Sequence, residues 1–249
     1  MQYGICPLSI VPLRFEPHDP SEMVTQVLYG EFFKVLEQRK KWSKIRLAYD
    51  QYEGWIDDKQ YLEITKEEFS SLQKITPKFT ADLMDFVYTE QEQLISIPLG
   101  ATVSSALFLK HLHEGNITTG KQGKVQLITT ALLYQNTPYL WGGKTTSGID
   151  CSGFTQMVYK INGYSLLRDA SQQATQGEAL SFIEESEPGD LAFFDNKEGN
   201  IIHVGIIMKD NYIIHAHGKV RIDRIDHTGI FNTETKEYSH QLRVIKKII

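Results

Sequence analysis

The sequence predicts an α+β catalytic domain preceded by small all-β barrels. Three observations carry that expectation. Short apolar runs broken by turn residues fill residues 1–62, apolar residues take up helical spacing beyond residue 122, and strand-like runs occupy residues 191–249. At 249 residues, 41% of them hydrophobic, the chain exceeds one typical domain and can bury a real core. Composition divides it into residues 1–62 as a first barrel, residues 63–122 as a linker helix and a second, divergent barrel, and residues 123–249 as the α+β domain.

In the first part, strand segments fall at residues 24–28, 32–36, 42–47 and 54–56, with Gly30 as a turn. Several short strands at close spacing make a small barrel. Thr65, followed by Glu67 and Glu68, has the pattern of a helix N-cap and places a short helix over residues 64–72. A second β-rich stretch covers residues 77–120 and ends at the turn Asn116-Ile117-Thr118-Thr119-Gly120. Val125, Leu127, Ile128, Ala131, Leu132 and Leu133 then recur at the spacing of a helix apolar face.

Beyond that helix, Thr137-Pro138-Tyr139-Leu140-Trp141-Gly142-Gly143 is an irregular loop leading to Gly148-Ile149-Asp150-Cys151. Phe154, Met157, Val158 and Ile161 follow at helical spacing, so Cys151 opens a helix with Asp150 as its N-cap. Free N–H groups and the positive end of the helix dipole stabilise a thiolate, so a lowered thiol pKa is expected there. Pro188-Gly189-Asp190 starts an apolar strand over residues 191–194, and Lys197-Glu198-Gly199-Asn200 turns into a strand over residues 201–208. Strands over residues 212–216, 219–222 and 243–249 complete an antiparallel set.

The chemistry lies in three segments, Asp150-Cys151-Ser152-Gly153-Phe154, Ile202-His203-Val204-Gly205 and Ile214-His215-Ala216. They supply a thiol nucleophile, an imidazole base and a second imidazole to orient the base. Side chains alternate faces along a strand, so Ile201, His203 and Gly205 share one face, as do Ile213 and His215 on the next strand. A hairpin of the two strands sets the imidazoles near each other, and Gly205 leaves room for another backbone or a ligand. Each residue alone is more often a core residue; the combination points to a cysteine hydrolase. Cys151, His203, His215 and His217 are also zinc-ligand types, but no Cys-x-x-Cys or His-Glu-x-x-His spacing accompanies them. The thiol mechanism ranks above a metal site, and neither a metal nor an organic cofactor is expected.

The net charge of −5 gives no long-range attraction toward nucleic acid or anionic lipid, so neither is an expected partner. The basic residues Arg39, Lys40, Lys41, Lys44 and Arg46 alternate with Trp42 and Ile45, as on a solvated strand face. Cys6 and Cys151 are the only cysteines, too few for a disulfide framework and suited to a reducing compartment. The apolar residues 5–13 are broken by Pro7 and Pro12 with no basic residue before them, so they do not read as a signal peptide. No run approaches the ~20 apolar residues of a membrane helix. The expectation is a cytoplasmic monomer, with export as the alternative if a leader has been removed.

In order along the chain, residues 138–143, residues 148–154, Arg168-Asp169-Ala170-Ser171-Gln172-Gln173, Pro188-Gly189-Asp190-Leu191 and Ile202-His203-Val204-Gly205 resemble the NlpC/P60 family of papain-like cysteine peptidases. Gly30-Glu31, Trp42-Ser43-Lys44-Ile45-Arg46 and Tyr52-Glu53-Gly54-Trp55-Ile56 look like a bacterial SH3 domain, with residues 77–120 as a second one. The resemblance implies Cys151 as nucleophile, His203 as general base, His215 as the orienting third member, and Tyr139 as the residue that positions the thiol or the oxyanion. The pairing of domains is similar to the γ-D-glutamyl-L-diamino acid endopeptidases of the dipeptidyl-peptidase VI type. Those enzymes recycle cell-wall peptides by cutting between γ-D-Glu and the diamino acid, meso-diaminopimelate or L-Lys, when a free L-Ala amine precedes D-Glu. The resemblance further implies Glu53, Tyr88 and Asp169 as the residues that hold that amine and close the site. Ser152 and Ser171 are candidates for the contact a serine makes where this chain has Ala170. The alternatives are a secreted hydrolase of intact peptidoglycan and a non-catalytic peptidoglycan-binding module.

Overall fold

In–out alternation builds the first sheet. In the computed structural model, which describes residues 2–249, it contains β1 (Gln2–Ile5), β2 (Ile10–Arg14), β3 (Met23–Leu28), β4 (Phe32–Arg39), β5 (Trp42–Leu47), β6 (Glu53–Asp57) and β7 (Leu62–Ile64). The strands are antiparallel in the order β3-β2-β6-β5-β4-β1-β7. Along β5, Ser43, Ile45 and Leu47 are buried while Trp42, Lys44 and Arg46 are partly exposed, the period-2 pattern of a half-buried strand. Val11, Leu13, Val27, Phe33, Ile45 and Ile56 form the core.

The helix α1 (Lys66–Leu72) follows, fixed by a capping box. Thr65 Oγ1 accepts the Glu68 N–H at 3.2 Å, and Glu68 Oε2 accepts the Thr65 N–H at 2.7 Å. Residues 77–120, read as a second barrel, are β-rich. The strands β8 (Lys78–Thr80), β9 (Met84–Tyr88), β10 (Leu94–Pro98) and β11 (Ile117–Thr119) make two separate ladders, β8 with β11 and β9 with β10. Their apolar residues are divided: Val87 and Ile97 are buried, but Met84, Phe86, Tyr88 and Leu94 are exposed. Val87 and Ile97 join Ile5, Tyr29 and Leu72 in one cluster, so this segment packs against the first sheet. Gly30 makes the junction possible. It turns with φ +76°, and a Cβ there would lie 2.0 Å from the Thr102 carbonyl oxygen.

The chain divides into two units, Met1–Lys121 and Gln122–Ile249. The second holds α2 (Lys124–Leu133), β12 (Lys144–Thr145), β13 (Gly148–Ile149), α3 (Cys151–Ile161) and α4 (Ala170–Gln173). A sheet follows from β14 (Glu178–Leu180), β15 (Leu191–Asp195), β16 (Ile201–Met208), β17 (Tyr212–His217), β18 (Lys219–Ile225), β19 (Gly229–Asn232) and β20 (Glu237–Lys247). Its order is β14-β20-β15-β16-β17-β18-β19, and a further β19–β20 pairing closes it on itself. The helix α3 packs against β16 and β17 with every residue buried. Phe154, Met157 and Val158 supply the apolar contact. Among its buried polar side chains, Thr155 Oγ1 donates to Gln173 Oε1 at 2.7 Å and Gln156 Nε2 to the Leu166 carbonyl at 3.1 Å.

Two elements differ from the sequence reading. The helix α2 buries only Leu127, Thr130 and Ala131 and leaves Val125 exposed, a narrower stripe than the spacing suggests. The last strand begins at Glu237 instead of residue 243, and β19 precedes it; Glu237-Tyr238-Ser239-His240-Gln241 lacks the apolar alternation that marks a strand. Both cysteines are free thiols. Among the described residues, no helix is long and apolar enough to cross a membrane.

Candidate active site

Cys151 is the first residue of α3, and Asp150 is its N-cap, with Oδ1 accepting the Gly153 N–H at 2.6 Å. Asp150 Oδ2 accepts the Gly142 N–H at 2.8 Å. Arg168 grips the same carboxylate with two prongs, Nη1 to Oδ1 at 3.0 Å and Nη2 to Oδ2 at 2.6 Å. One buried carboxylate thus ties the approach loop, the helix start and Arg168 together. The Cys151 thiol lies beside the β16 backbone. Burial raises its pKa most and the Asp150 charge raises it further; these outweigh the Val204 and Ser152 N–H groups and Arg168, and the thiol is pushed up to about 12. Burial first, and the Asp150 charge second, work against the lowering expected of the helix start. The proton must therefore leave to a base during attack.

The base side is built across the β16–β17 hairpin, where Gly205 pairs with His215. A Cβ on Gly205 would lie 2.7 Å from Ile213 Cδ1 and 2.9 Å from His215 Cβ. The space that glycine leaves is filled by the neighbouring strand and not by a ligand. His203 Nε2 meets His215 Nδ1 at 2.8 Å, and His215 Nε2 meets Asp223 Oδ2 at 3.0 Å. Asp223 is in turn held by Arg221, Nε to Oδ2 at 2.7 Å and Nη2 to Oδ1 at 3.0 Å. Burial opposes ionisation of Asp223, but the hydrogen bonds from His215 and Arg221 prevail and hold its carboxyl below the ordinary range.

An ionised carboxylate only accepts, so the proton positions follow along the chain. His215 carries its hydrogen on Nε2, its Nδ1 accepts from the His203 Nε2–H, and His203 is left with an unprotonated Nδ1. Burial, with His215, His240 and His217 nearby, lowers the His203 pKa well below its usual value, so the ring is neutral at pH 7. Burial also lowers His215, against the pull of Asp223. Asp223 and Arg221 are absent from the sequence reading, whose strand ended one residue short of Asp223. The available signal was Arg221-Ile222-Asp223, an i,i+2 ion pair on one strand face, with Arg221 opposite His215 in the register.

A fourth imidazole was also missed. His240, on β20, stacks on His203 with ring centroids 4.1 Å apart and planes at 22°. His217 lies edge-on to His240 at 4.8 Å. Nitrogens of His203, His215 and His240 lie within 4.8 Å of one another, a donor set of zinc type. Their geometry does not fit that role. Faces stacked at 22° cannot both aim in-plane lone pairs at one ion. The 2.8 Å between His203 and His215 nitrogens is a hydrogen bond, shorter than the roughly 3.4 Å between two nitrogen ligands of a tetrahedral zinc ion.

Of the remaining candidates, Tyr139 lies in the approach loop, its N–H donating to the Gly218 carbonyl at 2.9 Å. Burial, then the Cys151 and Asp150 charges, raise its phenol to about 12, which puts the ring within the field of the thiol. Ser152 is buried and its Oγ accepts from Arg168 Nη1 at 2.9 Å, so it is committed to the Asp150–Arg168 pair. Asp169 caps α4 in a box with Gln172, and Ser171 is exposed on that helix. Glu53 and Tyr88 belong to the first unit. Glu53 Oε1 is held by Arg46 at 2.6 Å and Oε2 by Lys44 at 3.1 Å, and the Arg46 hydrogen bond is the main reason its pKa is lowered. Tyr88 is exposed at the end of β9, its backbone bonded to Leu112.

Residues 136–239 match the NlpC/P60 family, and residues 13–60 match the bacterial dipeptidyl-peptidase SH3 domain. The gamma-D-glutamyl-L-lysine dipeptidyl-peptidase of Bacillus subtilis is 30% identical over 217 residues, which cover 77% of this chain and 71% of that protein. The chain belongs to the NlpC/P60 family. Dipeptidyl-peptidase 6 of Lysinibacillus sphaericus is 26% identical over 248 residues, covering 86% and 88% of the two chains. An NlpC/P60 family protein from Bacillus cereus, at 19% identity, matches with a TM-score of 0.80 over 99% of both chains, and so shares the fold. The second unit is an NlpC/P60 cysteine peptidase domain, and the first contains an SH3-like domain, as the resemblance implied.

Proposed function

We propose that this protein is a cysteine endopeptidase that cleaves the γ-D-glutamyl to diamino acid bond of murein peptides with a free N-terminal L-Ala, in cytoplasmic recycling of wall peptides. The observation that carries the reaction is the hydrogen-bonded chain from Asp223 through His215 to His203, next to the thiol-bearing start of α3. His203 Nδ1 takes the Cys151 proton as Sγ attacks the γ-glutamyl carbonyl carbon. Because the resting thiol is protonated, this transfer accompanies the attack.

The Cys151 N–H at the helix start donates to the oxyanion, with the Tyr139 hydroxyl as a second donor; one such donor is worth about 3 kcal/mol. As the C–N bond breaks, His203 gives its proton to the departing amine of the diamino acid. Water deprotonated by His203 then releases the acyl group from Cys151. His215 stays neutral throughout, held by Asp223, so it accepts from the imidazolium without competing for its charge. The bond class is supported by the names of two relatives, gamma-D-glutamyl-L-lysine dipeptidyl-peptidase and dipeptidyl-peptidase 6.

The test is mass spectrometry of L-Ala-γ-D-Glu-meso-diaminopimelate and its L-Lys counterpart, each with free and acetylated N terminus. Wild type should release L-Ala-D-Glu from the free-amine peptides, and Cys151→Ala should lose at least about a thousandfold in rate. Turnover by Cys151→Ala would overturn the nucleophile, and equal cleavage of acetylated peptides would overturn the need for a free amine.

A further inference from the structure

His240 has no part in the proton transfers above, yet the backbone is shaped to deliver it. β19 and β20 carry a bulge: Ile230 pairs with His240 and Phe231 with Tyr238, so Ser239 is the extra residue. Gly229 adopts φ +151°, and a Cβ there would lie 1.9 Å from the His240 carbonyl oxygen, so a side chain at 229 would displace the strand at His240. Ser239 Oγ donates to the Ile230 carbonyl at 3.4 Å and so accepts from His240 Nδ1 at 2.9 Å, which fixes the ring's rotation and tautomer. The ring so fixed lies on the face of His203, while Phe194 flanks both at 5.8 and 5.9 Å.

We propose that His240 is a positioning residue for the base: its ring, stacked on His203, holds that imidazole in the plane of its bond to His215 and keeps water off its face. The proposal rests on the reading of His203 as the general base. His215 alone leaves His203 free to rock about a single hydrogen bond, whereas a stacked ring sets the orientation that bond lacks. The titratable groups facing His203 are His215 and His217 on β17 and His240 on β20. Burial first, then His215 and His217, push His240 down to about 3, so it stays neutral and does not repel the imidazolium that forms on His203.

The test compares His240→Ala and His240→Phe with wild type in kcat, KM and the acid limb of the pH–rate profile. Removing the ring admits water and so lessens the burial that is the main cause of the depression, and the His203 pKa rises toward its ordinary value. In His240→Ala, kcat should fall about tenfold with KM within about twofold, and the acid limb should move up by about half a pH unit or more. In His240→Phe, which keeps an aromatic face without a titratable group, both should return to near wild type. Wild-type kcat and acid limb in a folded His240→Ala, or a His240→Phe as impaired as His240→Ala, would overturn the proposal. Alkylation of Cys151 by iodoacetamide, mapped by mass spectrometry over the same pH range, reads the thiol–imidazole pair without substrate. If wild-type turnover survives Cys151→Ala, the functional reading fails; if turnover needs Cys151 but is indifferent to His240, only the positioning role fails.

Discussion

Asp150 with Arg168 and Asp223 with Arg221 are two-pronged ion pairs of the same kind on opposite sides of the site, and their consequences differ. On the thiol side the pair is sealed, with 1% of the Arg168 and 8% of the Asp150 side chain exposed, and the carboxylate also takes the N–H groups of Gly142 and Gly153. That pair fixes backbone, and its negative charge helps keep the thiol protonated. On the base side Arg221 is 17% exposed and continues to Asn232 and Glu234, while Asp223 turns one oxygen toward the His215 ring. That pair fixes protons. What an ion pair contributes is thus decided by the groups its remaining lone pairs face, backbone in one case and an imidazole in the other.

The sharpest break in this comparison is Asp223→Asn. Either orientation of the amide sets its NH2 against an Arg221 N–H, and the charge that holds His215 in its Nε2–H form is gone. Turnover should fall by about 10²–10⁴, read as kcat on the free-amine peptide, with thermal unfolding shifted by only a few degrees. An unchanged kcat would mean that His203 keeps its proton on Nε2 without help from Asp223. Arg168→Leu should act through the fold instead. It leaves Asp150 buried without its cation, and the stability of the full chain in urea should drop by about 3–5 kcal/mol. Arg168→Lys should recover only part of that loss, since an ammonium cannot reproduce the planar fork.

The raised thiol gives a test by pH. A Cys151 thiol whose pKa lies near 12 is protonated through the neutral range, so its thiolate fraction rises about tenfold per pH unit below that value. The rate of iodoacetamide alkylation at Cys151 should climb with that slope from pH 6 to 9. A rate already on a plateau at pH 6 would mean a resting thiolate–imidazolium pair and would reverse the roles assigned to Asp150 and to burial.

The parts of the site that follow a strict local period are legible in the sequence. Asp150 and Cys151 announce a helix start through the cap and the apolar spacing of Phe154, Met157 and Val158. His203 and His215 fall on one face of the sheet because each strand alternates with period 2 and His215 pairs with Gly205, two residues from His203. Legibility ends where geometry depends on an irregularity or a distant partner. His240 reaches His203 only through a bulge at Ser239, and a bulge has no periodic signature. Arg168 is separated from Asp150 by a whole helix and a loop, so their pairing is a tertiary fact. Residues 84–88 show the limit of that period. Met84, Phe86 and Tyr88 alternate as a buried strand would, but that face is exposed, because the pattern cannot tell which face the rest of the chain covers.

Ser152 carries the smallest effect and separates substrate contact from support within the thiol-side pair. A serine one residue after the nucleophile is well placed in sequence to meet an amine, but its Oγ accepts from Arg168 Nη1 at 2.9 Å and lies 3.4 Å from Asp150 Oδ1, with the side chain buried. A hydroxyl that accepts from Arg168 and donates to Asp150 has its one proton committed to the ion pair. Ser152→Ala removes one acceptor from an arginine that keeps its two-pronged grip on Asp150, so the stability loss should be about 1 kcal/mol and KM for the free-amine peptide should stay within about twofold. A tenfold rise in KM with unchanged stability would give the hydroxyl to the substrate, and the Asp150–Arg168 pair would then be sufficient by itself to hold the start of α3.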